Sequence, residues 1–248
     1  MTERQYISSV FIDESIEDKS YLLNIPAVRY LAEGNILNLN NRITFFVGEN
    51  GTGKSTLIEA IAVAFGFNPE GGTMNFNFST NASHSELYSK IMLTKQKYAK
   101  DGFFLRAESF YNVATNIEEL DRQNAAAPPI IASYGGVSLH KQSHGESFLT
   151  LVENRFGGNG VYILDEPEAA LSPMKQLTLI THIDRLLKAD SQFIIATHSP
   201  ILMAFPNAQI LQFSDNGIKK VDYRDTEHYK ISQTFFTDPE SLLRKLLP

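Results

Sequence analysis

Residues 48–56 read Gly48-Glu49-Asn50-Gly51-Thr52-Gly53-Lys54-Ser55-Thr56, and this stretch decides the fold. It has the pattern G-x-x-x-x-G-K-[ST], in which glycines let successive backbone N–H groups turn inward around phosphate oxygens. We expect Lys54 to place its charge on the β- and γ-phosphates and Ser55 to offer its hydroxyl to a magnesium ion. The whole stretch is therefore predicted to bind a nucleoside triphosphate, with Mg²⁺ as its companion.

The residues on either side of this loop have the periodicity that such a loop requires. Residues 43–47 form a short β-branched and aromatic run that predicts a buried strand, and residues 57–64 predict a helix. A helix that begins at the loop directs its N-terminus toward the phosphates. Strand, glycine-rich loop and helix together make a chance match of the motif improbable.

Composition limits the class of protein. The chain has 248 residues, 43% of them hydrophobic, which suits one large α/β domain. It contains no cysteine, so disulfides and thiolate metal sites are excluded. The first residues lack a signal-peptide layout, and no apolar run approaches the length of a membrane helix. We expect a cytoplasmic protein without membrane insertion, and the net charge of −6 argues against a broad nucleic-acid groove.

The rest of the chain alternates apolar runs with turn-rich segments. The two continuous apolar runs at 161–164 and 193–196 are typical of buried parallel strands, whose carboxyl ends bind ligands. Further strands are predicted at 25–30, 36–39 and 103–107, and a hairpin at 210–221. Helices are predicted at 86–98, at 173–187 and after Asp238, with loops at 13–20 and 121–129 and a surface excursion over 66–83.

Two adjacent acids follow the apolar run at 161–164. Asp165 and Glu166 lie at the point where a buried strand ends, which is how P-loop ATPases deliver a magnesium carboxylate. We predict that Asp165 faces the metal and that Glu166 orients or deprotonates the attacking water. The alternative is a strand that ends in a solvated acidic turn, and the neighbouring phosphate loop makes it the weaker interpretation.

Two more segments carry candidate site residues. Ser143 to Ser147 precedes an apolar helical stretch and offers a hydroxyl and the bare backbone of Gly145 to an anion. The same residues fit an ordinary capping box, with Glu146 as the partner of Ser143, and the two interpretations are compatible. His198 follows the strand at 193–196 and is a candidate contact for the γ-phosphate or the water, although a lone histidine is more often structural.

In this order the four motifs resemble an ABC-type ATPase, from residue 44 to residue 200. Residues 48–56 match Walker A, 143–146 stand at the signature, 161–167 match Walker B and His198 stands at the switch. Residues 169–172, between the last two motifs, stand at the D-loop. The details are similar to stand-alone bacterial "predicted ATPases", akin to RecF- and SMC-like ATPases and to the overcoming-lysogenization-defect group.

The resemblance implies an α/β fold, a P-loop NTPase of the ABC-ATPase type. A mixed central sheet is flanked by helices, with an antiparallel β part and a small helical subdomain that carries the signature. We expect one domain over 1–248, with that subdomain inserted at approximately 83–157. The resemblance also implies that two ATP molecules lie between two head-to-tail copies, where Ser143 and Gly145 of one copy act on the nucleotide of the other. Such a homodimer closes on binding ATP and opens on hydrolysis.

Several positions depart from the family pattern. His144 and Glu146 replace a glycine and a glutamine of the signature, so that the His144 side chain either narrows the approach to phosphate or adds a donor. Ser172 replaces the D-loop aspartate. No Q-loop glutamine is obvious: Glu108 occupies the expected place, as a third residue on the metal side, with Gln96 and Gln123 as weaker candidates. The adenine-stacking residue is equally open between Tyr21, Arg29 and Tyr30.

Three functions compete. The first is an ATP-gated dimeric ATPase that switches a nucleic-acid or protein effector, in a DNA-related or phage-defence process. The second is the nucleotide-binding subunit of an ABC transporter, which the altered signature and Q-loop disfavour. The third is a nucleotide-binding module with little turnover, which has no need of the pair Glu166 and His198. The segment between Walker A and the signature, from Thr56 to Ser143, is too short to contain the coiled-coil arms of SMC-type ATPases.

Overall fold

The phosphate loop follows the central strand of a six-stranded mixed sheet. A computed structural model describes residues 5–74, 85–107, 110–123, 130–138, 140 and 142–247. The strands of this sheet lie in the order β5 (Asp101–Arg106), β6 (Gly160–Asp165), β7 (Gln192–Ala196), β3 (Ile43–Gly48), β8 (Gln209–Ser214) and β9 (Gly217–Val221). β3 pairs in parallel with both β7 and β8, and only the edge pair β8 and β9 is antiparallel. The parallel strands therefore present their carboxyl ends at one edge of the sheet, where the loop begins.

A smaller antiparallel sheet contains the remaining strands, in the order β2-β1-β4. They are β1 (Ile7–Ile12), β2 (Leu37–Asn38) and β4 (Ile91–Lys95). The Gln192 side chain connects this sheet to the main one, because its amide both accepts from the Ile7 N–H and donates to the Ile7 carbonyl. The antiparallel β part that the resemblance implies is thus present.

Helices cover both faces of the main sheet. They are α1 (Pro26–Ala32), α2 (Lys54–Phe65), α3 (Phe110–Gln123), α4 (His144–Arg155), α5 (Pro173–Lys188), α6 (Pro200–Met203), α7 (Glu227–Thr237) and α8 (Pro239–Leu246). No helix within the described ranges is long and apolar enough to cross a lipid bilayer.

Alternation along the strands creates two hydrophobic clusters, one on each face of the sheet. Phe46, Ile163 and Ile194 pack against α2 and the small sheet, whereas their neighbours in sequence, such as Phe45 and Tyr162, pack toward α3, α4 and α5. Successive side chains of a strand point to opposite faces, so a run that is apolar throughout must be buried on both. The two hydrophobic clusters therefore pack β3, β6 and β7 between them and fix the positions of the strand ends at the site.

Most predicted elements are confirmed. The strands at 43–47, 103–107, 161–164 and 193–196, the helices at 57–64 and 173–187, the hairpin at 210–221 and the helix after Asp238 are all present. Part of the segment 36–39 forms β2. The segment 13–20 is a loop as expected.

Three predictions are wrong. Residues 25–30 form α1 rather than a strand, because Pro26 occupies the first helical turn, where its missing N–H is harmless. Residues 86–98 form a short 3-10 turn and then β4 rather than a helix. Of the surface excursion predicted at 66–83, the described part, 66–74, is partly buried, since Phe67 and Thr73 are buried and Gly72 bridges to Phe104 of β5. Residues 75–83 lie outside the described residues.

The subdomain proposed for 83–157 contains α3 and α4, but β5 within the same range belongs to the main sheet. That boundary stays a prediction. The loop predicted at 121–129 begins inside α3, which ends at Gln123, and the rest of it lies outside the described residues.

Candidate functional site

The glycines of the phosphate loop occupy conformations and spaces that other residues cannot. Gly48, Gly51 and Gly53 have φ angles of 140°, 84° and 97°. A Cβ atom at Gly48 would lie 2.2 Å from the carbonyl oxygen of Phe213, and one at Gly53 would lie 2.4 Å from Ile25. The turn therefore depends on these glycines, which keep its backbone free to wrap around an anion.

Lys54 lies folded over this loop. Its Nζ donates to the carbonyl oxygens of Gly48 at 2.7 Å and Glu49 at 2.9 Å. Burial lowers the pKa of Lys54, and the nearby carboxylates of Glu166 and Asp165 oppose that change. The ammonium is thus held at the loop by neutral carbonyl groups, which phosphate oxygens can replace as acceptors.

Ser55 and Asp165 meet at the carboxyl edge of the sheet. The Ser55 hydroxyl donates to Asp165 Oδ1 at 3.2 Å, although the two residues are 110 positions apart. A hydroxyl beside a carboxylate suits Mg²⁺, which takes oxygen ligands and usually binds through one or two carboxylates together with phosphates and water. The described residues contain no group of three or more acidic or histidine side chains arranged around one metal position. Glu108, the third residue predicted on the metal side, lies outside the described residues.

Asp165 is also tied to a buried ion pair. Arg106, the last residue of β5, lies with its Nε 3.5 Å from Asp165 Oδ2, and its Nη1 bonds Glu59 of α2. The Glu59 carboxylate also accepts from the Ser85 N–H at 3.1 Å. Arg106 therefore bridges two carboxylates, Glu59 and Asp165, and helps to hold Asp165 in place beside Ser55.

Glu166 and His198 face each other across the end of β6 and β7. Glu166 Oε1 lies 3.7 Å from His198 Nε2. The Glu166 backbone is left-handed, with φ 51° and ψ 52°, immediately before Pro167, which is a strained conformation of the kind found at functional sites. Burial lowers the pKa of His198, and the Lys54 cation lowers it further.

A cleft of about 530 Å³ joins the loop to Glu166. That volume is within the range of small-molecule sites. A larger cleft of about 620 Å³ lies around Arg42, at the opposite end of β3, away from the carboxyl edge where ligands bind in such sheets. The residues that line the cleft at the loop are Ile25, Asn50, Gly51, Gly53, Lys54, Ser55, Thr56 and Glu166.

A buried carboxylate fixes the backbone at His198. Glu168 Oε1 accepts from the His198 N–H, and Thr197 N donates to the Phe46 carbonyl at 3.1 Å. Burial raises the pKa of Glu168, and hydrogen bonds from His198 and Thr197 oppose that rise. The segment after β7 is therefore held on both sides, by β3 and by the turn after Glu166.

The predicted signature residues cap α4. The Glu146 carboxylate accepts from the Ser143 N–H at 3.1 Å and from its hydroxyl at 2.6 Å, and Lys175 Nζ lies 3.4 Å from that hydroxyl. The His144 ring packs edge-on against Phe110 of α3, with ring centroids 5.3 Å apart. A Cβ at Gly145 would lie 2.6 Å from the Ala170 carbonyl oxygen.

These capping residues and the loop do not share a cleft. Residues 143–147 are all described, and none of them lines the cleft at the loop. Ser143 and Glu146 are exposed at the start of α4, next to the Lys175 cation. Within one chain this helix terminus and Lys54 therefore form two separate surfaces.

The remaining candidates lie apart from the loop. Ser172 caps α5, accepting from the Lys175 N–H at 3.4 Å. Gln96 follows β4 in the small sheet, and Gln123 ends α3. None of the three adenine candidates lines the cleft at the loop, where Ile25 stands instead: Tyr21 is exposed, and Arg29 and Tyr30 line a separate small cleft near residues 215–217.

A family model described as an AAA domain matches residues 23–155, more than half of the chain. The match includes the loop, α2 and the capped start of α4. The chain belongs to this AAA domain family. Its sequence relatives and its fold support membership of the ABC class of P-loop ATPases.

Curated relatives of this AAA domain include the ribose import ATP-binding protein RbsA of Bacillus cereus. It is 29% identical over 168 residues, which cover 61% of this chain and 33% of the relative, and RbsA of a second B. cereus strain gives the same figures. The chain thus spans about a third of the length of the curated relatives it matches.

Two solved structures share the fold of the AAA domain chain. CbiO1 of Clostridium perfringens, part of the ABC transporter complex cbiONQ, is 17% identical, with a TM-score of 0.54 over 95% of this chain and 97% of that one. A metal-chelate type ABC transporter in an inward-facing conformation is 16% identical, with a TM-score of 0.51 over 92% and 88%. At this identity the likeness concerns the fold alone.

Sequence reasoning missed four contributors to the site of this AAA domain. Ile25 packs against the loop from α1, which was predicted as a strand. Arg106 and Lys175 are single basic residues without a motif, and only the sheet register and the α4 to α5 contact place them. His228 lies with its Nε2 3.1 Å from His198 Nδ1, and no local pattern distinguishes it from a solvated histidine.

Proposed function

We propose that this chain binds ATP with Mg²⁺ and hydrolyses it, as a conformational switch made of two head-to-tail copies. ATP binding is the common property of its family, and members of the ABC class generally hydrolyse ATP. One observation carries the proposal for this chain. The Ser55–Asp165 contact and the Glu166–His198 contact lie at one edge of the sheet, beside Lys54.

Each residue has a task in this proposal. The loop N–H groups and Lys54 hold the β- and γ-phosphates, and Ser55 and Asp165 are the described residues that would hold Mg²⁺. When bound, the metal neutralises charge on the phosphate oxygens. Glu166 accepts a proton from the water that attacks the γ-phosphorus, while the bond to the β–γ bridging oxygen breaks and ADP leaves. His198 contacts the γ-phosphate through Nε2.

A second copy is proposed to complete the site. The capped start of α4 does not line the cleft of its own chain, yet its N–H groups, Ser143 and nearby Lys175 suit an anion. In a head-to-tail pair, Ser143 and Gly145 of one copy meet the γ-phosphate bound by the other. Loss of that phosphate on hydrolysis removes the bridge, so the pair opens.

Substitution of Glu166 tests the hydrolysis step. Glu166→Gln keeps the size of the side chain but removes the base, so ATP binding by calorimetry should be retained while turnover falls about 100-fold or more. The variant should also accumulate an ATP-bound dimer in sedimentation with Mg²⁺. Lys54→Ala is the matched control and should abolish ATP binding. Wild-type turnover in Glu166→Gln would exclude Glu166 as the base.

The transporter subunit is the second candidate, because the curated relative is named as a ribose import ATP-binding protein. The departures from the family pattern at His144, Glu146 and Ser172 weigh against this candidate.

ATPase activity of the purified chain, measured alone, with DNA and with RNA, distinguishes the two candidate functions. Stimulation by nucleic acid supports the DNA-related or defence role in the cytoplasm, which otherwise rests on the sequence resemblance.

A further inference from the structure

A second histidine lies directly behind His198. His228, in the first turn of α7, has its Nε2 3.1 Å from His198 Nδ1, and the two rings are tilted by 55° with centroids 5.3 Å apart. The opposite nitrogen of His198, Nε2, faces Glu166 and is buried without a hydrogen-bond partner among the described residues. One nitrogen of the ring is therefore held by α7, and the other is directed at the site.

The contact is built into the fold, because α7 is fastened to the segment that carries His198. The Tyr223 hydroxyl donates to the carbonyl oxygen of Pro200, two residues after His198, at 2.9 Å. The Tyr229 ring packs against Tyr223 with centroids 4.8 Å apart. Thr226 is buried and caps α7, accepting from the Tyr229 N–H at 3.2 Å. The start of α7 thus has a fixed position relative to the site.

The hydrogen bond between the two rings decides where the His198 proton lies. If both histidines are neutral, one of the two facing nitrogens must donate and the other accept. When His228 Nε2–H donates to His198 Nδ1, the proton of His198 is on Nε2, where the Glu166 carboxylate and an incoming γ-phosphate both attract it. The opposite arrangement would direct a lone pair at these anions, which is unfavourable.

The electrostatics of the pair agree with two neutral rings. Burial lowers the pKa of His198, and the Lys54 cation and His228 lower it further. Burial also lowers the pKa of His228, with Lys54 adding to the effect, although Glu49 and Glu227 oppose it. Near neutral pH the pair therefore shares a single hydrogen between Nε2 and Nδ1.

We propose that His228 is a positioning residue for His198: it fixes the ring and the tautomer that present Nε2–H to the γ-phosphate. The inference rests on the proposed function and extends it to a residue of α7, outside the four motifs. By analogy with the residues that orient metal-bound histidines through their second nitrogen, we expect removal of His228 to lower activity by about 10- to 100-fold.

The first experiment compares His228→Phe with His228→Gln. Phenylalanine keeps a flat ring without nitrogen, so kcat should fall about 10- to 100-fold while the KM for ATP changes less than about twofold. The glutamine amide can donate to Nδ1, so His228→Gln should recover most of kcat. Gln233→Ala, an exposed change on the same helix, is the control and should behave as wild type. Wild-type kcat in His228→Phe overturns the proposal, as does a loss that His228→Gln shares.

The second experiment does not depend on turnover. ¹⁵N shifts of the His198 imidazole should report the Nε2-protonated tautomer in the wild type and a mixture of tautomers in His228→Phe. Unchanged shifts would overturn the inference even if ATP is hydrolysed. If instead the wild type shows the expected tautomer but no hydrolysis, the proposed function fails while the positioning by His228 stands.

Discussion

At the scale of single residues, two glycines of the phosphate loop differ in how strongly their surroundings exclude a side chain. Gly48 lies at the carboxyl end of β3, where its neighbour β8 approaches so closely that a Cβ would meet the Phe213 carbonyl. Gly51 has a similar left-handed φ, but a Cβ there would meet nothing within 4 Å. Substitution of Gly51 therefore tests the free-energy cost of a left-handed backbone alone, whereas substitution of Gly48 adds the cost of a steric clash.

We predict that Gly48→Ala lowers the free energy of unfolding by about 3 kcal/mol or more, since a strained backbone and a steric clash add together. Gly51→Ala should cost only about 1 kcal/mol, for the left-handed backbone alone. Urea unfolding without nucleotide measures both. Equal losses in the two variants would mean that the approach of β8 to Gly48 relaxes freely.

At the scale of elements, the helix with the capped N-terminus is anchored at its far end. Asp101, at the start of β5, accepts from Arg155 of α4 at 2.8 Å, from the Gly157 N–H at 2.8 Å and from the Tyr162 hydroxyl at 2.6 Å. Burial alone would raise the pKa of Asp101, but these hydrogen bonds outweigh it and lower the pKa. The carboxylate therefore stabilises the attachment of α4 to the main sheet.

We predict that Asp101→Asn lowers the free energy of unfolding at pH 7 by about 3 kcal/mol, as expected when a mostly buried ion pair loses one partner. Because the folded pKa is below the unfolded one, this stabilisation is complete above pH ~4 and is lost as the pH falls through the folded pKa. The deficit should therefore shrink in urea unfolding at acidic pH. Asp184→Asn, which breaks only an exposed pair with Lys188, should cost less than about 0.5 kcal/mol. A deficit that does not change with pH would contradict the assignment.

The elements also show where local patterns mislead. The segment 25–30 is apolar enough for a strand, yet Pro26 starts a helix whose buried residues Val28 and Leu31 pack into the core. β4 alternates buried and exposed residues, but only over five positions, and its polar neighbours suggested a helix. In both cases pairing or packing with distant segments outweighed propensity, which is a weak guide for short elements.

At the scale of the whole molecule, the two halves of the proposed site lie on different surfaces of one chain. Lys54 lies at the end of β3, whereas Ser143 and Lys175 lie where α4 and α5 begin. The proposed head-to-tail pair rests on this separation together with the sequence resemblance. Such a pair allows two inactive variants to restore activity when they are mixed, which a site made by a single chain would not allow.

We predict that two inactive variants restore activity when mixed. Lys54→Ala removes the phosphate contact, and Ser143→Arg places a bulky side chain where the partner's nucleotide would bind. A mixed pair then contains one site with both changes and one with neither. An equal mixture should regain up to about a quarter of the wild-type ATPase rate, since half of the pairs are mixed. A mixture that stays inactive, although mixed pairs form in sedimentation with ATP and Mg²⁺, would contradict action in trans.

The sequence by itself determined the phosphate loop, the buried strands around it and the two acids at the end of β6, because each of these signals is carried by neighbouring residues of the chain. It also carried the resemblance that the family match bears out. Only the tertiary structure decided which distant side chains join the site. Arg106 reaches Asp165 through the register of β5 and β6, and His228 reaches His198 because α7 is fastened beside β7. Contacts between residues far apart in the chain depend on how the sheet is ordered, and no local pattern encodes that order.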